Sequence, residues 1–209
     1  MEILSKNSGH TTGIPYKNWH GKPYYSLDAY CKNTYGEKLY KVALNAGLTC
    51  PNRDGTLGTG GCIFCSAGGS GDFAASTADT DSAFEQAFLQ SKNSLSGKKT
   101  GQKFIAYFQA YTNTYGPVSY LEKVYRLALK EPSVAGISIA TRPDCLPDNV
   151  MALLCRLKKE YPAKFIWLEL GLQTIFESSA AFIRRGYPLS CFEEAVYMLH
   201  EAGIPVITH

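Results

Sequence analysis

FIAYFQAYTNTYGPVSYLEKVYRLALKEPSVAGISIATRPDC, residues 104–145, decides the fold. Two apolar runs, 104–109 and 135–140, read as strands, and the amphipathic stretch 118–130 between them reads as a helix opened by Pro117. Further strands are expected over 39–44, 165–170 and 204–208. Further helices are expected over 81–94, with Asp79 or Thr80 as N-cap, over 147–160, and over 192–202, where Gly203 stops the last. Short strands alternating with amphipathic helices are the pattern of repeated βα units on a parallel sheet. On pattern alone, a barrel and an open α/β sheet fit equally well, and both place their chemistry at the C-terminal ends of the strands. The final strand is cut off at His209 with no helix behind it, so a truncated chain is expected.

The 209 residues are 45% hydrophobic and 19% charged, with no apolar run near the length of a membrane span. One large globular domain is expected over 27–209, preceded by an irregular arm over 1–26 that mixes Gly, Pro, Asn, His and aromatics without a period. That N-terminus lacks the apolar stretch and small-residue cleavage site of a secretory signal, which makes the cytoplasm the expected compartment and a membrane partner unexpected. A net charge of +3 and a pI near 8.4 permit a polyanionic partner without demanding one, because the lysines are spread in small groups.

Seven cysteines in a reducing compartment read as metal ligands or buried thiols rather than as disulfides. Cys31, Cys145, Cys155 and Cys191 are scattered and read as structural. Cys50, Cys62 and Cys65 fall within the sixteen residues CPNRDGTLGTGGCIFC, at metal-binding spacing, in a loop whose four glycines let backbone approach a metal closely. Structural zinc sites usually close with four ligands, so three suggest an open coordination position. A zinc knuckle completed by Cys31, Cys145 or a histidine is the other reading of the same residues. The remaining candidates lie where the expected strands end: 109–114, Thr141-Arg142-Pro143-Asp144, and Glu169 to Gln173.

The cysteine loop, FIAYFQAYTNT, SIATRPDC and WLELGLQT, in that order at successive strand ends, resemble the radical S-adenosylmethionine (SAM) enzymes, specifically the bacterial branch related to the catalytic subunit of Elongator. The resemblance runs from about Tyr25 to His209. It implies a partial (βα)6 TIM-like barrel, here truncated after the start of its fifth strand. It also implies a [4Fe–4S] cluster on Cys50, Cys62 and Cys65, whose fourth iron takes SAM. The gap of eleven residues between Cys50 and Cys62, against three in the commonest signature of the superfamily, is shared by this branch.

Further SAM contacts follow from the same resemblance. Phe64 matches an aromatic near the adenine, and reads equally as plain core. Ala110, Tyr111 and Thr112 match a Gly-Gly-Thr run whose backbone meets the methionine amino group; Tyr111 is bulkier than the glycine, so backbone and Thr112 contacts are what carry over. Ala140 stands where many relatives place a glutamate, which leaves Thr141 or Arg142 to supply that contact; Arg142 and Asp144 also read as caps. Gln173 and Arg185 match a SAM-contacting glutamine and an arginine near the SAM carboxylate. Glu169 either points inward to a core lysine or touches substrate or SAM. The implied activity is reductive cleavage of SAM to a 5′-deoxyadenosyl radical for hydrogen abstraction, with electrons from a flavodoxin- or ferredoxin-type donor and with wobble-uridine side chains of tRNA as substrate. A small metabolite or a protein is the alternative substrate.

Overall fold

The computed structural model describes residues 19–77, 80–98 and 100–209. Residues 1–18 of the expected arm, and Asp79, lie outside the described residues. The chain divides into two compact units at Leu39/Tyr40. In the first, helix α1 (Leu27–Tyr35) is capped by Ser26, whose Oγ accepts from the Ala29 amide, and ends on Gly36 in the left-handed region. Tyr25, just before the cap, is followed by Tyr30 and Tyr35 on the helix, with successive ring centroids 6.2–6.4 Å apart.

The second unit, Tyr40–His209, is a parallel α/β fold. Its strands are β1 (Tyr40–Asn45), β2 (Ala75–Ser76), β3 (Phe104–Phe108), β4 (Val134–Thr141), β5 (Phe165–Leu170) and β6 (Val206–Thr208), and its helices are α2 (Asp81–Asn93), α3 (Val118–Lys130), α4 (Asp148–Glu160), α5 (Glu177–Phe182) and α6 (Leu189–Glu201). All strand pairs are parallel, in the order β2-β1-β3-β4-β5-β6. The sheet is open, with β2 and β6 at its edges, rather than closed into a barrel. All five expected strands form. β2 is an addition, because two residues are too short to show any period; it pairs with β1 at Leu44 and Asn45. The strand expected to be the fifth is therefore the sixth.

Helix ends follow the local chemistry. Thr80 caps α2, its Oγ1 accepting from the Ala83 amide. Pro117, Pro147 and Pro188 stand immediately before α3, α4 and α6. The last of these starts α6 three residues earlier than the apolar pattern suggests, and Gly203, at φ +64°, follows its end. Lys158 Nζ holds the carbonyls of Ala202 and Gly203 at 3.0 and 2.8 Å. Short α5 goes unannounced in the sequence because six residues carry too little of a helical stripe.

Two faces of the sheet have different fates because side chains alternate along each strand. Val42, Leu44, Ala106, Phe108, Ile137, Ile139, Ile166 and Leu168 join the core together with the helices. From α3 come Leu121, Val124, Tyr125, Ala128 and Leu129, spaced i, i+3, i+4, i+7, i+8. The opposite parity carries Lys41, Tyr107, Ser138 and Glu169, where polar groups are concentrated. Gly136 on β4 lies against Phe165, and a Cβ there would come 2.5 Å from the Phe165 carbonyl oxygen and into its ring. Gly136→Ala is therefore expected to destabilise the fold by about 1–3 kcal/mol through overpacking, seen as a lower urea midpoint with an unchanged slope. Among the described residues, no helix is long and apolar enough to cross a membrane.

Candidate functional site

A cavity of about 270 Å³ opens at the C-terminal ends of β3, β4 and β5. The loop after β1 supplies Cys50, Cys62, Phe64 and Cys65 to its wall. The turn after β3 supplies Tyr111 and Thr112, the end of β4 Thr141 and Arg142, and β5 with its following segment Glu169, Gln173 and Arg185. Of the twelve residues that the resemblance assigns to the cluster or to SAM, only Ala110 is not on the wall; it is fully buried, with its Cβ against Gly71. Phe64 is 48% exposed, which sets aside the reading of it as plain core.

The cysteine loop is held by its own backbone. Cys50 O accepts from the amides of Arg53 and Asp54 at 2.8 and 3.1 Å, Asn52 O from Gly61 at 2.8 Å, and Cys62 O from Cys65 at 3.1 Å. Arg53 reaches across the loop to the carbonyls of Cys65 and Ser66, at 3.2 and 2.6 Å, with its guanidinium 5.7 Å from the centre of the Tyr111 ring. Gly61 makes room for it: φ is +67°, and a Cβ there would lie 2.9 Å from Arg53 Nε. The following turn packs under β3's end. Tyr111, itself at φ +63°, lays its ring on Gly69 and donates its hydroxyl to Ala67 O at 2.8 Å. Gln109 Nε2 donates to Ser70 O at 2.6 Å.

Cys62 and Cys65 act as a pair. The neighbouring Cys62 lowers the Cys65 thiol to about 6, while Cys65 raises Cys62 and burial pushes Cys62 further in the same direction. Asn52 Nδ2 lies 3.4 Å from Cys62 Sγ, and Ser70 Oγ lies 3.8 Å from Cys65 Sγ. Among the described residues, no three His, Cys, Asp or Glu side chains are gathered as the shell of a single ion. Cys145, a candidate fourth zinc ligand, is buried, points its thiol at Asp144 Oδ1 at 3.6 Å, and lines a different cavity. Cys50, Cys62 and Cys65 line one wall of the cavity, on a glycine-relieved loop that carries no fourth cysteine, and His209 lines the same cavity.

The arginines are heavily engaged. Arg142 forks onto Asp144, with Nε–Oδ1 2.9 Å and Nη2–Oδ2 2.6 Å, and donates from Nη1 to Arg185 O at 3.0 Å. The fork makes Asp144 the partner of Arg142 rather than a helix cap. Arg185 is 1% exposed and donates to the carbonyls of Tyr187, Leu172 and Thr174 at 3.0, 2.9 and 2.6 Å, with Glu177 at 3.5 Å. Its guanidinium thereby fixes the turn that carries Gln173, which sits at φ +62°. Tyr187 lies against both guanidiniums, 4.8 and 4.9 Å from its ring centre, and donates its hydroxyl to Gly171 O.

On the polar face of the sheet, the fully buried Glu169 side chain accepts from Lys41 at 2.5 Å, from Ser138, and from His209 at 2.7 Å. It is an inward carboxylate paired to a lysine whose side chain is only partly buried. Burial raises its carboxyl, but the hydrogen bonds from Lys41 and Ser138 outweigh this and hold it below the usual carboxylate value. Lys41 Nζ rests 4.1 Å from the centre of the Tyr107 ring. Sequence reading did not single out Lys41, Ser138, Asn52, Arg53 or Tyr187. The first two were legible as polar residues at the inward parity of otherwise apolar strands; Asn52 and Arg53 stood inside the quoted loop.

No protein-family model matches the chain. It is 46% identical over 196 residues to the uncharacterized protein YtqA of Bacillus subtilis, a match covering 94% of this chain and 59% of that protein. It is 37% identical to the protein YhcC of Escherichia coli K12, covering 84% and 54%, and 32% identical to the uncharacterized protein MJ0486 of Methanocaldococcus jannaschii, covering 86% and 53%. The chain thus spans little more than half the length of the curated relatives it matches. Among solved structures it is similar to the archaeal Methanocaldococcus infernus Elp3 with an N-terminal deletion, at TM-score 0.50 and 16% identity, over 82% of this chain and 37% of that one. That likeness establishes a shared parallel α/β fold.

Proposed function

We propose that this chain is the core of a radical SAM enzyme, with a [4Fe–4S] cluster on Cys50, Cys62 and Cys65 and SAM in the adjoining cavity, acting on the side chain of a tRNA wobble uridine. One observation carries the reading: the three cysteines and eight residues assigned to SAM from the sequence, drawn from four separate segments, line the same cavity. The Elp3-like fold and the sequence resemblance to the Elongator branch support it.

When bound, the cluster supplies the electron that cleaves SAM to methionine and a 5′-deoxyadenosyl radical. The residues of the chain bind and orient. Arg53 braces the Cys65–Ser66 backbone, the Gly69–Tyr111 packing seals the loop against β3, and Arg185 holds the Leu172–Thr174 turn so that Gln173 faces the cavity. The electron donor in this reading is of flavodoxin or ferredoxin type.

Iron, sulfide and zinc content after anaerobic reconstitution, with 5′-deoxyadenosine measured on adding SAM and reductant, tests the cofactor reading. About four irons and four sulfides per chain with deoxyadenosine formed is the expected result. One zinc and no iron would remove the enzyme assignment. Nucleoside profiles of tRNA lacking the mature wobble modification test the substrate: deoxyadenosine release with unchanged profiles would move it to a small metabolite or a protein.

A further inference from the structure

Asn52 belongs to the cysteine loop, but its side chain leaves it. The residue is 7% exposed, and its Nδ2 lies 2.9 Å from Arg184 O, 3.2 Å from Arg185 O and 3.4 Å from Cys62 Sγ. An amide nitrogen carries two hydrogens, so three acceptors share two bonds. Arg184 O, the nearest, takes one. Arg185 O is also served by Arg142 Nη1 at 3.0 Å, so it keeps a donor when the second hydrogen turns to the sulfur.

The balance shifts with the state of Cys62. As a thiol, its Sγ donates to Arg184 O at 3.4 Å. As a thiolate ligand it has no proton to give and becomes a charged acceptor, and hydrogen bonds to charged acceptors are shorter and stronger than neutral ones. The amide is also firmly seated: a Cβ at Gly186, where φ is +83°, would lie 2.9 Å from Asn52 Oδ1.

We propose that Asn52 is a positioning residue of the iron–sulfur site, its amide donating to the Cys62 sulfur and tying that ligand to the Arg184–Arg185 backbone, so that it raises the reduction potential of the cluster and slows its loss. The inference rests on the assignment of the three cysteines as cluster ligands. A donor aimed at a ligand sulfur stabilises the reduced, more negative form, which is how hydrogen bonding tunes such potentials.

The test uses the reconstituted protein labelled with 15N-asparagine, and its Asn52→Leu and Asn52→Ala variants. Pulsed EPR of the reduced wild type is expected to show a 15N coupling that is absent in Asn52→Leu. Redox titration is expected to place both variants at more negative midpoint potential, and a chelator to remove their iron about tenfold faster. The wild-type coupling needs no variant to fold. A loaded wild type without the coupling, or variants with unchanged potential and lability, would overturn the role of Asn52 while leaving the cluster in place. A wild type that takes up no iron and sulfide would instead overturn the cluster assignment, and this inference with it.

Discussion

Glu169→Ala is expected to destabilise the protein by about 3 kcal/mol, because deleting one partner of a buried ion pair strands the other. The side chain is fully buried, and its loss leaves Lys41 without its carboxylate and Ser138 and His209 without their acceptor. Lys41 is 31% exposed and recovers some hydration, which places the effect at the low end of the range for broken buried pairs. Glu169→Gln keeps the shape and one acceptor oxygen and should cost about 1–2 kcal/mol. Urea unfolding at neutral pH measures both.

The same carboxylate predicts an acid limb. Its folded-state value is below the ordinary 4.5, so the unfolded chain binds the proton more readily. The contribution is complete above about pH 4.5 and is lost as pH falls from there through the lowered folded value. Glu169→Gln should flatten that part of the stability profile, and an unchanged acid limb would refute the assignment.

Cys62→Ala is expected to abolish cluster uptake, reducing iron from about four per chain to near zero after anaerobic reconstitution. Among the described residues no other cysteine lines that cavity, and Cys145 lines a different one. Cys62 is only partly buried and makes weak sulfur contacts, so the apoprotein should keep its stability within about 1 kcal/mol of wild type. Lost iron with a preserved urea midpoint marks a ligand; parallel loss of both marks a misfolded chain.

Much of this arrangement was legible because periodicity and spacing are local signals. The strands over 104–109, 135–140 and 165–170 and the helices between them could be read from apolar runs, prolines and caps, and the cysteine triplet from its spacing alone. Short β2 and α5 escaped because too few residues carry a pattern, and the choice between barrel and open sheet depends on pairing between distant edges, which no window of sequence contains. The engagement of Arg185 was hidden for a related reason. A buried guanidinium that serves backbone carbonyls looks, in sequence, the same as one that faces a carboxylate ligand. The Arg142–Asp144 fork, by contrast, joins residues two apart and was within reach, yet both read as caps beside Pro143.

The Lys41–Glu169 pair joins residues 128 positions apart, across β1 and β5. Bringing such partners together requires a large loss of chain freedom before any contact repays it, so the polar face of the sheet belongs to the late part of folding. During synthesis from the N-terminus, Lys41 and Ser138 precede the carboxylate, whereas His209 follows it by 40 residues. Two of the acid's three donors are thus already synthesised when it appears, and the third reaches it only when β6 pairs with β5.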